Sequence, residues 1–594
     1  MTFRHWMTLK DDVRDKRDYS SAGSVRSGVE QGSALLWERL PPIVFLCAIV
    51  GAIFLLDAVL PLQGLGFFNA LLPKSWLWVF WPSHMFFPHS ANVTARITVN
   101  QELALSFYLI AWKDALLLFG VFLVVFLVYL LALYALPRII SQRFLLISTL
   151  VLGILFLLIP AVTSQDLFLY IGYARMAALY HLNPFTVAPS ALQGDLIYST
   201  IFWAHQPSLY GPVWIGPIAA IQWLALKLGL TSLGPVVLLL RLFGLAIHLG
   251  STQLIWLLSG KLQGQNGAFS LLRRKQVTLA FAWNPLLLVE ACVNVHADIL
   301  LLFLLLLALW LLMDGQERSK LIYPLWWVGV AVILALAAGV KINAAIFMPG
   351  LLLYAWSQRQ RMRTILLMSA VYLTMVVILS LPFLLGGSPF TALFANPSSS
   401  QDVNSLPEFL VGLYKTIVRL WAFPSTILSI DALGRITHVL SILVFLGAYV
   451  WLCWKARNSL HTIAHLVCWM AAVWLLYCVF GSPWFWPWYA ITLVGLAVLV
   501  ASVPADARPA WFPRFDTMPG FPLVITLFTF SMLSIYWFFT WGPQHTSIPG
   551  LPHFHWSYLR GLWTWVFPLV ALLILSRIRR MRSKRELQVV RGKG

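Results

Sequence analysis

Apolar runs long enough to cross a bilayer, or nearly so, recur along almost the whole chain. They lie near 41–61, 113–136, 144–163, 235–258, 277–292, 299–313, 321–340, 343–356, 364–386, 436–454, 463–481, 485–503, 520–541 and 558–576. A spanning helix needs about 20 predominantly apolar residues, so the runs at 277–292, 299–313 and 343–356 are short. Composition agrees: 60% of the chain is apolar and 10% is charged, where soluble domains carry roughly 25% charge. So little charged surface cannot solvate a core of this size. A disordered chain, which needs low hydrophobicity and high charge, is also excluded. The 29 Trp, 39 Phe and 18 Tyr suit the aromatic belts of membrane interfaces. The pattern predicts an all-α, polytopic transmembrane protein of about 14 spans.

Charge sets the expected orientation. The net charge of +20 sits in short loops and tails between apolar runs, which reads as membrane topology and not as a nucleic-acid surface. One segment, 211–229, is apolar enough to span, and crossing there would turn Arg273-Arg274-Lys275, Arg359/Arg361/Arg363 and the basic tail outward. The positive-inside rule therefore favours a helix lying in the outer interface. No cleavable signal is expected: residues 1–40 read as a cytoplasmic tail, 41–576 as the membrane domain and 577–594 as a basic cytoplasmic tail. The long outer loops are then 62–112, 164–234, 387–435 and 542–557, with interfacial helices within them. The five cysteines lie in apolar segments without paired spacing, so neither a disulfide framework nor a zinc site is expected.

Ionisable residues beside apolar spans are costly and mark function. Four clusters of this kind fall on the predicted outer side. The first runs from Ser164-Gln165-Asp166 through Tyr170, Tyr173, Arg175 and Tyr180 to His181-Leu-Asn183-Pro184-Phe185. Asp166 follows a span directly, and partial desolvation there raises a carboxyl pKa toward that of a general base. The alternative is a helix-capping Asp aided by Ser164. Asp195, nearby, stands in no motif, and its change to Asn is expected to be mild.

The second cluster is His205-Gln-Pro-Ser208-Leu-Tyr210-Gly211-Pro212-Val-Trp214, which also reads as a turn before a membrane-lying helix. The third is Trp283-Asn284-Pro285 with Glu290, Asn294, His296 and Asp298. Its proline should break or kink the helix, and two ligands are too few to argue a metal site. The fourth, Gly481 to Tyr489, is dense in Pro and Trp, and reads as either an aromatic belt or a stacking surface for sugar rings. Lys341 and Arg241 stand near the predicted outer ends of spans, where they either snorkel to headgroups or hold a lipid-linked phosphate.

In this order, Asp166 with Tyr170, Asn183-Pro184-Phe185, Tyr210-Gly211-Pro212-Val-Trp214, Arg241, Asn284-Pro285, His296-Ala-Asp298, Gly339-Val-Lys341 and Pro487-Trp488-Tyr489 resemble bacterial polyprenyl-phosphomannose-dependent α-mannosyltransferases of the GT-C superfamily. The motif-bearing core is about 144–505. The family's His-Asn-Asp reads His296-Ala297-Asp298 here, and the 62–112 loop, with Trp76, Trp78, Trp81 and His84, has no counterpart. The resemblance implies a multi-pass plasma-membrane glycosyltransferase. Its donor would be a polyprenyl-phosphate sugar on the outer leaflet, its acceptor a glycan or glycolipid, and its neighbours membrane lipids. Asp166 would be the catalytic base. Lys341, Arg241, His296, Asp298, Tyr170, Tyr210, Trp488 and Tyr489 would bind substrate. No cofactor, metal or nucleic-acid partner is indicated. Two classes compete: a lipid or polysaccharide flippase, which shares the many spans and large outer loops, and a secondary transporter, which predicts midplane charges and internal repeats. Here the charges gather on one face and no repeat is visible.

Overall fold

The computed structural model describes residues 41–59, 112–157, 163–164, 166–198, 201, 203–231, 233–263, 267–316, 323–385, 401–420, 429–512, 520–536, 547–548 and 550–591. The 62–112 loop, apart from its last residue, and residues 387–400 and 421–428 of the 387–435 loop lie outside them. The described chain is almost wholly helical. Its first half contains α1 (Pro42–Val59), α2 (Trp112–Ala135), α3 (Gln142–Leu157), α4 (Asp166–Ala178), α5 (Pro212–Lys227), α6 (Leu233–Leu262), α7 (Gly267–Ala282) and α8 (Pro285–Leu288). There follow α9 (Asp298–Gln316), α10 (Tyr323–Val340), α11 (Met348–Ser357), α12 (Met362–Leu384) and α13 (Leu406–Leu420). The last helices are α14 (Ile430–Ala456), α15 (Ile463–Leu476), α16 (Ala490–Ser502), α17 (Phe521–Tyr536) and α18 (Phe567–Arg591). Among the described residues the strands are the two of one antiparallel hairpin, β1 (Ser547–Ile548) and β2 (Leu551–His555).

Among the described residues, seven helical stretches are long and apolar enough to cross a membrane, or eight if a pair bent by 44° counts as one. Their outer faces explain the composition. In the spanning windows of α12 and α14 only 17% and 22% of residues are buried in the protein. Leu366, Leu373, Val377, Leu440, Leu443 and Val450 stand at least half exposed on those helices. Apolar faces of this extent are stable against lipid but not against water. The chain is an integral membrane protein.

The bent pair is α7 and α8, and its cause is local. Pro285 brings no N–H, and the Asn284 side chain accepts the Leu286 N–H at 3.1 Å, capping a new helix where the old one stopped. The chain then widens into a π-helical turn, Val289–Val293. Val295 takes a positive φ of 53° before α9 begins at Asp298. The expected break thus becomes a short buried platform that carries Glu290, Asn294, His296 and Asp298.

Helix ends sort by chemistry. Lys261, at the end of α6, pairs with Asp314 near the end of α9. Arg273, in α7, donates to Ala501 O near the end of α16. The opposite ends of α6 and α9, with the end of α10 and the 482–489 segment, surround the polar platform.

Candidate functional site

α4 starts at Asp166, and the Ser164 hydroxyl accepts the Asp166 backbone N–H at 3.2 Å. Ser164 therefore does the capping, and the Asp166 carboxylate is left to side chains. Its Oδ2 accepts the Tyr210 hydroxyl at 3.0 Å. Tyr170, one turn along α4, meets His296 Nδ1 through its hydroxyl at 3.3 Å. Its ring stands edge-on to Tyr210, with centroids 4.8 Å apart.

Tyr210 reaches this position because the following residue has no side chain. Gly211 N–H donates to Val340 O at 3.0 Å. A Cβ on Gly211 would lie 2.1 Å from Gly339 O. Only glycine permits this approach of α5 to the end of α10, and it brings Tyr210 beside Lys341. The Lys341 Nζ lies 5.3 Å from the Tyr210 ring centroid and 4.7 Å from that of Tyr489. It pairs with Asp298 Oδ2 at 2.5 Å, with 11% of the Lys341 side chain exposed and none of Asp298. Asp298 Oδ1 is buried without a hydrogen-bond partner.

His296 is the hub. Its ring stacks on Trp488 at 4.1 Å and 22°. Its Nδ1 lies 3.8 Å from Asp166 Oδ2, and its Nε2 lies 3.2 Å from Glu290 Oε2. Trp488 and Tyr489 belong to a 3₁₀ turn, Pro487–Tyr489, whose proline starts the turn. Asp166, Tyr170, Tyr210, His296, Asp298, Lys341, Trp488 and Tyr489 thus come together from five stretches of chain far apart in sequence.

The electrostatics follow from burial. With 16% of its side chain exposed, Asp166 is pushed up to about 6 by desolvation, while the Tyr210 hydrogen bond and Lys341 pull the other way. Burial, and then Lys341, hold His296 well below the usual imidazole range, so its ring is neutral. The site therefore offers a basic carboxylate near neutrality, a neutral imidazole and an anchored ammonium. Among the described residues, no group of three or more His, Cys, Asp or Glu is placed to hold a metal ion.

Arg241 does not join this cluster. It is fully buried in α6. Its Nε donates to Val293 O at 3.0 Å and its Nη1 to Leu157 O at 2.6 Å. Its guanidinium holds the π-helical turn and the end of α3 from behind, with Nη2 buried and without a hydrogen-bond partner.

Asp195 is also not the idle loop carboxylate that its sequence surroundings imply. Arg175 grips both its oxygens at 2.7–3.1 Å. The Tyr180 hydroxyl and the Ile197 N–H complete its coordination.

Glu290 was legible only as a carboxylate near the end of a span. In the fold it is fully buried. Its Oε1 accepts Tyr536 at 2.8 Å and its Oε2 accepts Asn294 Nδ2 at 2.9 Å. Asn294 Oδ1 in turn accepts the Thr163 hydroxyl at 2.9 Å. The signal that marks Glu290 is an acid inside an apolar run, six residues before a histidine.

Residues 86–358, a little under half of the chain, match the family model described as Alpha-(1->6)-mannopyranosyltransferase, N-terminal domain. That stretch holds Asp166, Tyr170, Tyr210, Glu290, His296, Asp298 and Lys341, and ends before Trp488 and Tyr489. No curated protein and no solved structure matches the chain.

Proposed function

We propose that this chain, whose residues 86–358 match the α-(1→6)-mannopyranosyltransferase family model, transfers mannose from a polyprenyl-phosphate donor to a glycan or glycolipid acceptor at the outer face of the plasma membrane. The observation that carries this reading is the desolvated Asp166 carboxylate gathered in one cluster with the Lys341–Asp298 pair. Asp166 accepts the proton of the acceptor hydroxyl as that oxygen attacks the anomeric carbon. Lys341, held by Asp298 and flanked by Tyr210 and Tyr489, faces the charge that gathers on the departing phosphate. Phosphate leaves without protonation, so a single carboxylate suffices, unlike the pair used in glycoside hydrolysis. One displacement inverts the anomeric centre, so an α-linked product requires a β-linked donor. Trp488 and Tyr489 contribute aromatic rings to the same cluster.

The reading places about 14 passes in the membrane, with both ends cytoplasmic. Six shorter apolar helices join the seven long ones and the bent pair in its support. The helix α5, which lies against α4, is the outer interfacial element. The extended domain of 41–576 and its motif-bearing core of 144–505 follow from the same topology.

Two measurements test the proposal. Purified protein is given radiolabelled mannosyl-phosphate polyprenol or a nucleotide-mannose, each with an α-mannoside acceptor. Transfer from the lipid donor is expected, and transfer from the nucleotide donor alone would overturn the donor assignment. For topology, Ser190 and Arg361 are changed singly to Cys in a cysteine-free background and treated with an impermeant thiol reagent on intact cells. Labelling is expected at 190 and not at 361; the reverse result inverts the topology.

A further inference from the structure

Glu290 lies behind His296, on the side away from Asp166, and no step of the transfer uses it. Its two oxygens are nevertheless fixed with care. Tyr536, from α17, donates to Oε1, and Asn294 donates to Oε2. Asn294 turns its Nδ2 toward this carboxylate, which as an anion can only accept, and its Oδ1 takes the Thr163 hydroxyl. Oε2 thus sits 3.2 Å from His296 Nε2, short of hydrogen-bond alignment, and Nε2 has no formed partner. A slight turn of either group closes that contact. The imidazole plane is set independently by its stack on Trp488.

A neutral histidine carries its proton on one nitrogen only, and the partner of the other nitrogen selects which. We propose that Glu290 is a positioning residue that fixes the Nε2–H tautomer of His296. Nδ1 then meets Asp166 and Tyr170 as a lone pair. This arrangement has a consequence for the base. An Nδ1–H, 3.8 Å from Asp166 Oδ2, would donate toward the carboxylate, stabilise its charge and weaken it as a base. The Nδ1 lone pair instead takes the Tyr170 hydroxyl. Asp166 then takes hydroxyl donors, Tyr210 first and Tyr170 more weakly, and no imidazole N–H. The same logic governs triads in which a buried carboxylate orients a histidine. The inference rests on Asp166 acting as the base.

Glu290→Gln distinguishes orientation from charge. The Asn294 donor requires an acceptor at the Oε2 position, so the glutamine must place its carbonyl there and its amide toward Tyr536, whose hydroxyl can accept. The acceptor facing His296 Nε2 survives. Glu290→Leu removes it. Glu290→Leu is expected to lower kcat by roughly tenfold to hundredfold, a part of the general-base contribution, with donor and acceptor KM unchanged. Glu290→Gln is expected to return kcat to within a few-fold of wild type.

Histidine-selective 15N NMR of the wild-type protein in detergent reads the tautomer directly, with His296 signals found by subtracting the His296→Gln spectrum. An Nε2–H signature supports the inference and needs no Glu290 variant to fold. An Nδ1–H signature overturns it. So does a Glu290→Gln enzyme as impaired as Glu290→Leu, or a Glu290→Leu enzyme with wild-type kcat. The two readings fail separately. If Asp166→Asn transfers at the normal rate, the base assignment falls. If Asp166→Asn is inactive while Glu290→Leu is normal, only the role of Glu290 falls.

Discussion

Two largely buried carboxylates, Asp166 at the start of α4 and Asp195 in the loop that follows it, make the most instructive pair in the molecule. Asp195 has its oxygens occupied by Arg175, Tyr180 and the Ile197 N–H. Burial acts to raise it, but those hydrogen bonds and the charge of Arg175 outweigh burial and hold it below the usual carboxylate range. Asp166 has tyrosine hydroxyls and a neutral imidazole around it, and among the described residues no Lys or Arg pairs with it. Burial then wins, and Asp166 rises to about 6. The first arrangement ties α4 to its loop. The second leaves a base with capacity to take a proton. Completeness of coordination, not depth of burial, separates a structural carboxylate from a reactive one.

The comparison breaks first at Asp166→Asn. Transfer should fall by about 10²- to 10⁴-fold, the usual share of a general base. Expression and thermal stability should hold, because Ser164 caps the helix. Activity within a few-fold of wild type would remove Asp166 from the chemistry.

Lys341→Ala comes next. A lost charged contact to phosphate costs about 1.5–3 kcal/mol, or roughly a tenfold to hundredfold rise in donor KM, with little change in acceptor KM. It also leaves Asp298 buried without its partner, so a thermal melt must accompany the kinetics. An unchanged donor KM would leave Lys341 as a counter-ion alone.

Asp195→Asn should show the opposite signature. Arg175 loses a charged partner, and stability should drop by about 1–3 kcal/mol, read as a lower midpoint of thermal unfolding. kcat per folded molecule should stay near wild type. A catalytic loss without a stability loss would reverse the roles of the two carboxylates.

The smallest effect is the pH profile. A base works as the carboxylate, so transfer should decline as pH falls through about 6, where an ordinary aspartate would keep its charge down to about 4. The residual activity of Asp166→Asn should lack this limb. A limb that persists in that variant belongs to another group.

Much was legible in one dimension because lipid imposes one-dimensional rules. A helix must be apolar for about 20 residues to cross, so the spans appear as runs. Pro285 removes a backbone donor wherever it stands, so the break in that helix was readable from Trp283-Asn284-Pro285. Asp166 announced itself by following a span directly.

Other features depended on partners distant in sequence. Whether Asp166 capped a helix or faced a pocket was decided by Ser164 taking the cap and by Tyr210, 44 residues away, taking the carboxylate. Arg241 and Lys341 look alike as bases near span ends. One is turned onto the carbonyls of Val293 and Leu157 and the other onto Asp298. Asp195 carried no motif because its partner Arg175 lies 20 residues back. Glu290 gained its neighbours only when α17 delivered Tyr536, 246 residues on. The sequence by itself determined an all-helical membrane chain and the residue types at its helix ends. The tertiary structure alone decided which of those charges are satisfied, because satisfaction depends on hydrogen bonds between helices that no local pattern encodes.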